Sequence, residues 1–99
     1  MEEIKLVINE HGDGAFYLFH DGNIVAKMLI GVSTSDLNAY HTEAMIEGKG
    51  LAKKLVDAMV AHARDHHLKV TPHCPYVHAQ FKRHPEQYND VWNKKNNEH

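Results

Sequence analysis

Between Leu37 and Thr71 the sequence runs strand, glycine turn, helix, strand, without a linker, and this order constrains the fold more than any other stretch. Leu37 to Ala44 has strand character. Gly48-Lys49-Gly50 makes a tight turn, and a helical period starts at once. Leu51, Leu55, Met59 and His62 fall on one stripe, which Ala52, Val56 and Ala63 widen, so a helix is predicted from about Gly50 to His66. Lys53, Lys54, Asp57 and Arg64 fall on its watery side. Leu68-Lys69-Val70-Thr71 then reads as a short strand stopped by Pro72. A strand, helix, strand series closes as a right-handed crossover, which sets its second strand parallel to its first.

The residues before this unit form a meander. Ile4, Leu6 and Ile8 alternate with Glu3, Lys5 and Asn9, the pattern of a strand with one buried face. After a turn at His11-Gly12-Asp13-Gly14, the aromatic run Ala15 to Phe19 gives a second strand, and Ile24 to Ile30 a third. Asp21-Gly22 between them is a tight-hairpin signal, because both central residues of the favoured turn need positive φ. Ser33 to Asp36 is a polar turn. Downstream, Cys74-Pro75 opens a second helix with proline at its first position, and Tyr76, Val77, Gln80 and Phe81 follow. Arg83-His84-Pro85 breaks that helix, Glu86 to Trp92 adds a short turn packing Tyr88, Val91 and Trp92, and residues 93–99 are a polar, frayed tail. The expected fold is a single α+β domain over residues 1–99: a mixed sheet with a four-stranded antiparallel meander, a parallel fifth strand after the crossover helix, and a C-terminal helix.

Charge and composition narrow the function. A formal net charge of −2 offers no electrostatic basis for nucleic acid as a partner. No apolar run approaches the roughly 18 residues of a membrane span, and Met1-Glu2-Glu3 lacks the features of a signal peptide. Cys74 is the only cysteine, so a cytoplasmic setting is expected and no intrachain disulfide is possible. The ten histidines are spread through the chain. His73, Cys74 and His78 are metal-type ligands, but no second cluster stands at zinc-site spacing, and no metal is expected. Oligomeric state is not indicated.

Three features carry chemistry. The glycine turn leads into a helix start with no Ser, Thr, Asp or Asn cap and with Lys53 and Lys54 in place of acids. Its unsatisfied N–H groups suit a phosphate or diphosphate, although a plain turn has the same sequence. Strict alternation from Leu37 puts Leu37, Ala39, His41 and Glu43 on one face and Asn38, Tyr40, Thr42 and Ala44 on the other. That pairs His41 with Glu43 just before the turn, either as an acid–base pair or as an exposed polar edge. Cys74 stands at a helix N-terminus, where a thiol is activated; a buried structural cysteine is equally compatible.

The run His41-Thr42-Glu43-Ala44, then Glu47-Gly48-Lys49-Gly50-Leu51-Ala52, then Pro72-His73-Cys74-Pro75-Tyr76-Val77 with His84-Pro85 resembles the minimal, roughly hundred-residue GNAT-superfamily acetyltransferases. The resemblance implies acetyl-coenzyme A as co-substrate and an amine acceptor. It implies pyrophosphate on Gly48, Lys49, Gly50, Leu51 and Ala52, with Lys53 and Lys54 beside it. Pantetheine would run along Thr42, Glu43, Ala44 and Met45 where the fourth and fifth strands splay, with Cys74 and Tyr76 at the cofactor. Glu43 or His41 is then the general base for direct transfer, or Cys74 acts as nucleophile or as acid to the leaving thiolate. Glu47 departs from the family pattern, in which Gln or Arg is common. The helices and extra strands that shape the acceptor pocket in larger relatives are missing, which implies an open site for a large acceptor such as a protein or peptide amine, with a small-molecule amine as alternative. A non-catalytic acetyl-coenzyme A sensor or adaptor is the competing reading.

Overall fold

The computed structural model describes residues 2–46, 48 and 50–94. Five strands form one sheet in sequence order: β1 (Glu2–Ile8), β2 (Asp13–His20), β3 (Asn23–Val32), β4 (Asp36–Ala44) and β5 (Lys69–Pro72). The first four are antiparallel and β5 runs parallel to β4, as the crossover requires. Helix α1 (Leu51–Asp65) makes that crossover, and α2 (Pro75–Arg83) and a single turn α3 (Pro85–Tyr88) follow. The hairpin turn behaves as its sequence demands, with positive φ at Asp21 (50°) and Gly22 (85°). Beyond α3, Trp92 bridges Val70 in parallel, so a stub of further pairing flanks β5 where the sequence suggests only a packed turn. Among the described residues no helix is long and apolar enough to cross a membrane.

Cross-strand register sorts the side chains into two faces, because directly opposed residues share a face. One set of rows runs Ile4–Leu18–Ala26–Ala44 and Leu6–Phe16–Met28–Thr42. Phe16, Leu18, Ala26 and Met28 of these rows pack with Leu55, Val56, Met59 and Val60 of α1 and Val77 and Phe81 of α2 in one core. The other rows run Val7–Ala15–Leu29–His41 and Lys5–Tyr17–Lys27–Glu43. Val7 and Leu29 there are 58% and 39% exposed. The core therefore lies on one side of the sheet, and the opposite face is largely open.

Strict alternation fails in β4, and the sequence-based facing is corrected accordingly. Ile30 pairs with Ala39 while Leu29 pairs with His41, so Tyr40 is an extra residue, a β-bulge. Leu37 and Ala39 face the core, but the bulge brings Thr42 onto that face and sends His41 and Glu43, expected to share it, to the open one.

The C-terminal elements are anchored by aromatic packing. Phe81 is fully buried, stacked on Tyr88 at 4.9 Å and edge-on to Trp92 at 5.8 Å. Phe81→Ala is expected to cost about 3–5 kcal/mol, read by urea denaturation, and to weaken the near-ultraviolet signal of Tyr88 and Trp92 while leaving helix content intact.

Candidate active site

Two prolines part β4 from β5. The strands pair only from Asp36–Lys69 to Ala39–Pro72. Pro72 has no N–H to continue the ladder. The Cys74 N–H makes the last link, to the Ala39 carbonyl at 2.9 Å. Pro75 then occupies the first position of α2, which leads the chain away, while β4 continues to Ala44. Among the described residues, no strand pairs with the far edge of β4 from Tyr40 to Ala44. The backbone of Met45 is engaged, its N–H donated to the Val25 carbonyl at 2.8 Å, so this expected cofactor position offers no free donor.

Past β4 lies the start of α1. Gly50 is its N-cap in the left-handed region (φ 67°), with no side-chain cap and no acid in the first turn. Gly48 is also left-handed (φ 76°), and a Cβ at either glycine would meet nothing within 4 Å. The backbone donors of Leu51 and Ala52, in the first turn, have no intrahelical acceptor. Lys49 and Glu47, on which the expected motif also rests, lie outside the described residues. The two first-turn lysines are not free cations. Lys53 bonds the Asp57 carboxylate at 2.9 and 3.0 Å, which raises its pKa, and Lys54 bonds Glu2, whose carboxyl is held below the usual range chiefly by that hydrogen bond. Glu2, His20, Val25, Ile46, Leu51 and Lys54 line a cavity of about 320 Å³ beside this turn.

At the fork the candidate groups divide between the two faces. The Cys74 thiol is on the core side, 3% exposed, and donates to the Thr42 hydroxyl oxygen at 3.5 Å. Of the two readings left open for this cysteine, its surroundings are those of a buried one. Tyr76 is half-buried nearby, and burial raises its phenol pKa. On the open face, His41 Nε2 lies 3.3 Å from Glu43 Oε1, with both side chains about half exposed. A carboxylate only accepts, so this contact puts the hydrogen on Nε2 and leaves the lone pair on Nδ1.

One further histidine belongs to this cluster. His73 stacks on the Tyr40 ring at 5.3 Å, and its Nε2 lies 2.9 Å from Asn38 Oδ1. The Asn38 amide is oriented by Nδ2 donating to the Gly31 carbonyl at 3.5 Å, so Oδ1 faces His73 as an acceptor. His73 therefore donates through Nε2 and keeps its lone pair on Nδ1. Its signal in the sequence was adjacency to Cys74; its partner stands 35 residues away. His78 packs instead against Trp92 at 5.8 Å, so His73, Cys74 and His78 do not converge. Among the described residues, no group of three or more His, Cys, Asp or Glu is placed to hold a metal.

The profile of the GCN5-related N-acetyltransferase family matches residues 15–91. The chain belongs to this family and is an acyltransferase of that class. A crystal structure of the ribosomal-protein-alanine N-acetyltransferase from Brucella melitensis biovar Abortus 2308 superposes with a TM-score of 0.67 at 18% identity, covering 88% of this chain and 90% of that one. At that identity the likeness is one of fold, and it confirms the mixed sheet with a parallel β4–β5 pair. Comparison with curated proteins gives no match.

The placement of Cys74 has a direct chemical consequence. As the sole thiol it reports its own access. Its reaction with a disulfide reagent such as DTNB is expected to be at least about 100-fold slower in the folded protein than in the urea-unfolded chain, because the thiol must wait for a local opening. Equal rates would contradict its burial.

Proposed function

We propose that the protein transfers an acetyl group from acetyl-coenzyme A to the amine of a protein or peptide acceptor. The observation that carries this reading is the far edge of β4 from Tyr40 to Ala44, with which no strand pairs among the described residues, followed in the chain by the uncapped start of α1. An extended pantetheine chain suits such an edge, and a diphosphate suits the N–H groups at Gly50, Leu51 and Ala52. Thr42, Glu43 and Ala44 would flank the pantetheine. Lys53 and Lys54 would turn from their surface carboxylate partners, at little cost since exposed ion pairs contribute only about 0–1 kcal/mol.

The acceptor side of this reading is the open face. With no helix over it among the described residues, a polypeptide can approach Tyr40, His41, Glu43 and His73. In direct transfer the amine nitrogen attacks the thioester carbonyl carbon, and a base takes the amine proton. The C–S bond then breaks as the coenzyme A thiolate leaves and is protonated. His73 and His41, each donating through Nε2, present Nδ1 as that base. Cys74 donates its hydrogen to Thr42 and faces the core, which favours direct transfer over an acetyl-cysteine relay. The similar Brucella enzyme acts on a ribosomal-protein alanine, so a peptide with N-terminal alanine belongs among the first acceptors to test.

The binding test uses the turn itself. Calorimetric titration with acetyl-coenzyme A is expected to give one ligand per chain, with Kd between roughly 1 μM and 1 mM. Gly48→Asp adds a carboxylate at an open left-handed position that aspartate tolerates. It should weaken binding about tenfold or more through like-charge repulsion, while Gly22→Asp, equally strained in the β2–β3 turn, should not. Absence of binding, or equal binding in all three, rejects the assignment. Turnover is then followed as coenzyme A thiol release with N-terminal-alanine peptides, lysine peptides and polyamines. His73→Gln or His41→Gln should lower it by roughly 100-fold with binding kept. Unchanged turnover in Cys74→Ser selects direct transfer, and acetyl found on Cys74 selects the relay. Binding with no transfer to any acceptor supports the non-catalytic module instead.

A further inference from the structure

Acyl transfer does not use the histidines at the far end of α1. His62 and His66 stand one turn apart on that helix, so their side chains share a face. Their rings stack with centroids 4.1 Å apart. His66 Nδ1 lies 3.0 Å from the His62 carbonyl oxygen. A carbonyl only accepts, so Nδ1 carries the hydrogen and Nε2 keeps the lone pair that a metal ion requires.

His62 is prepared in a different way. Phe16 of β2 holds its ring edge-on at 5.9 Å. Among the described residues its ring nitrogens have no hydrogen-bond partner. Two imidazoles on one ion, at about 2.1 Å each, need donor nitrogens roughly 3 Å apart. In the stack each lone pair lies in its own ring plane, so the exposed His66 must rotate out of it to bring the two donor nitrogens onto one ion.

We propose that His62 and His66 form a binding site for a divalent transition-metal ion such as zinc, nickel or copper, with water completing its coordination. Imidazole selects this class of ion over calcium or magnesium. No third protein ligand joins the pair among the described residues. Because His66 is the C-cap of α1, the ion ties the end of the helix to its preceding turn.

The test is calorimetric titration of the tag-free full chain with zinc chloride at pH 7.5. One tight equivalent is expected. His66→Ala should weaken it at least about tenfold, no less than the loss of an outer-shell partner costs elsewhere, and His67→Ala should leave it unchanged. Zinc should raise the melting temperature of the wild type and not of His66→Ala. His62 packs against Phe16, so its role is read without substitution: substoichiometric nickel should broaden the ring resonances of His62 and His66 before those of the other histidines. Unaltered zinc affinity in His66→Ala, equal losses in His66→Ala and His67→Ala, or uniform broadening across the histidines would overturn the site.

Discussion

The architecture of the site depends on two missing backbone donors. Pro72 and Pro75 lie within four positions of the chain, and neither has an N–H to pair with β4. The first ends the β5 ladder opposite Ala39, and the second fits only the first turn of a helix. Between them the Cys74 N–H still reaches the Ala39 carbonyl, so the strands separate at one residue instead of fraying gradually. At this same level the extra residue Tyr40 shifts the register between β3 and β4. A strand break and a bulge thus coincide. Together they leave an edge with no partner strand among the described residues and sort the ionisable side chains onto opposite faces of it.

The fork keeps its geometry because what surrounds it is packed. Val77 and Phe81 carry α2 into the core, and Phe81 stacks Tyr88 of α3. The Tyr88 hydroxyl donates to Asp57 of α1 at 3.0 Å, and Asp57 also accepts from Lys53 in the first turn of that helix. This links the start of α1, where an anion is expected, to the elements that position Cys74. The energy of the link is mostly burial. Tyr88 is 2% exposed, whereas the Lys53–Asp57 pair is solvent-facing and contributes at most about 1 kcal/mol. Lys53 is therefore held without being locked, which would suit a cation beside the proposed ligand.

What the sequence made legible was whatever is local in origin. The left-handed Asp21-Gly22 turn, the apolar stripe of α1 and the proline start of α2 each follow from residues within one turn of one another, and each formed as read. The parallel placement of β5 was also legible, since handedness leaves the crossover little choice. Tyr40 carries no such sign: nothing in Ala39-Tyr40-His41 distinguishes a bulge from continued alternation, and assuming a strict period of two inverted the face of every later residue in β4. Distant pairings were equally hidden. Lys54 meets Glu2 across the whole meander, and His73 meets Asn38 through the β4–β5 alignment. Both are set by tertiary register, which local patterns do not encode.

The one-sided core also bears on the size of the acceptor. In a two-layer domain the helix-free face of a sheet is usually polar. Here its rows mix apolar and charged residues: Val7, Ala15 and Leu29 lead to His41, and Lys5, Tyr17 and Lys27 lead to Glu43. Lys27 stands opposite Glu43 in the register, with the opposite charge. Tyr40, 49% exposed and lying over Gly31, and His73 stacked on it give the face a flat aromatic platform at the fork. Among the described residues a small amine would find no enclosing wall there and would gain little from apolar contact. An extended peptide can lie across the rows and bury Val7, Leu29 and Tyr40 while its amine reaches the fork. Under the proposed reaction, the lack of a covering helix among the described residues therefore favours a polypeptide acceptor.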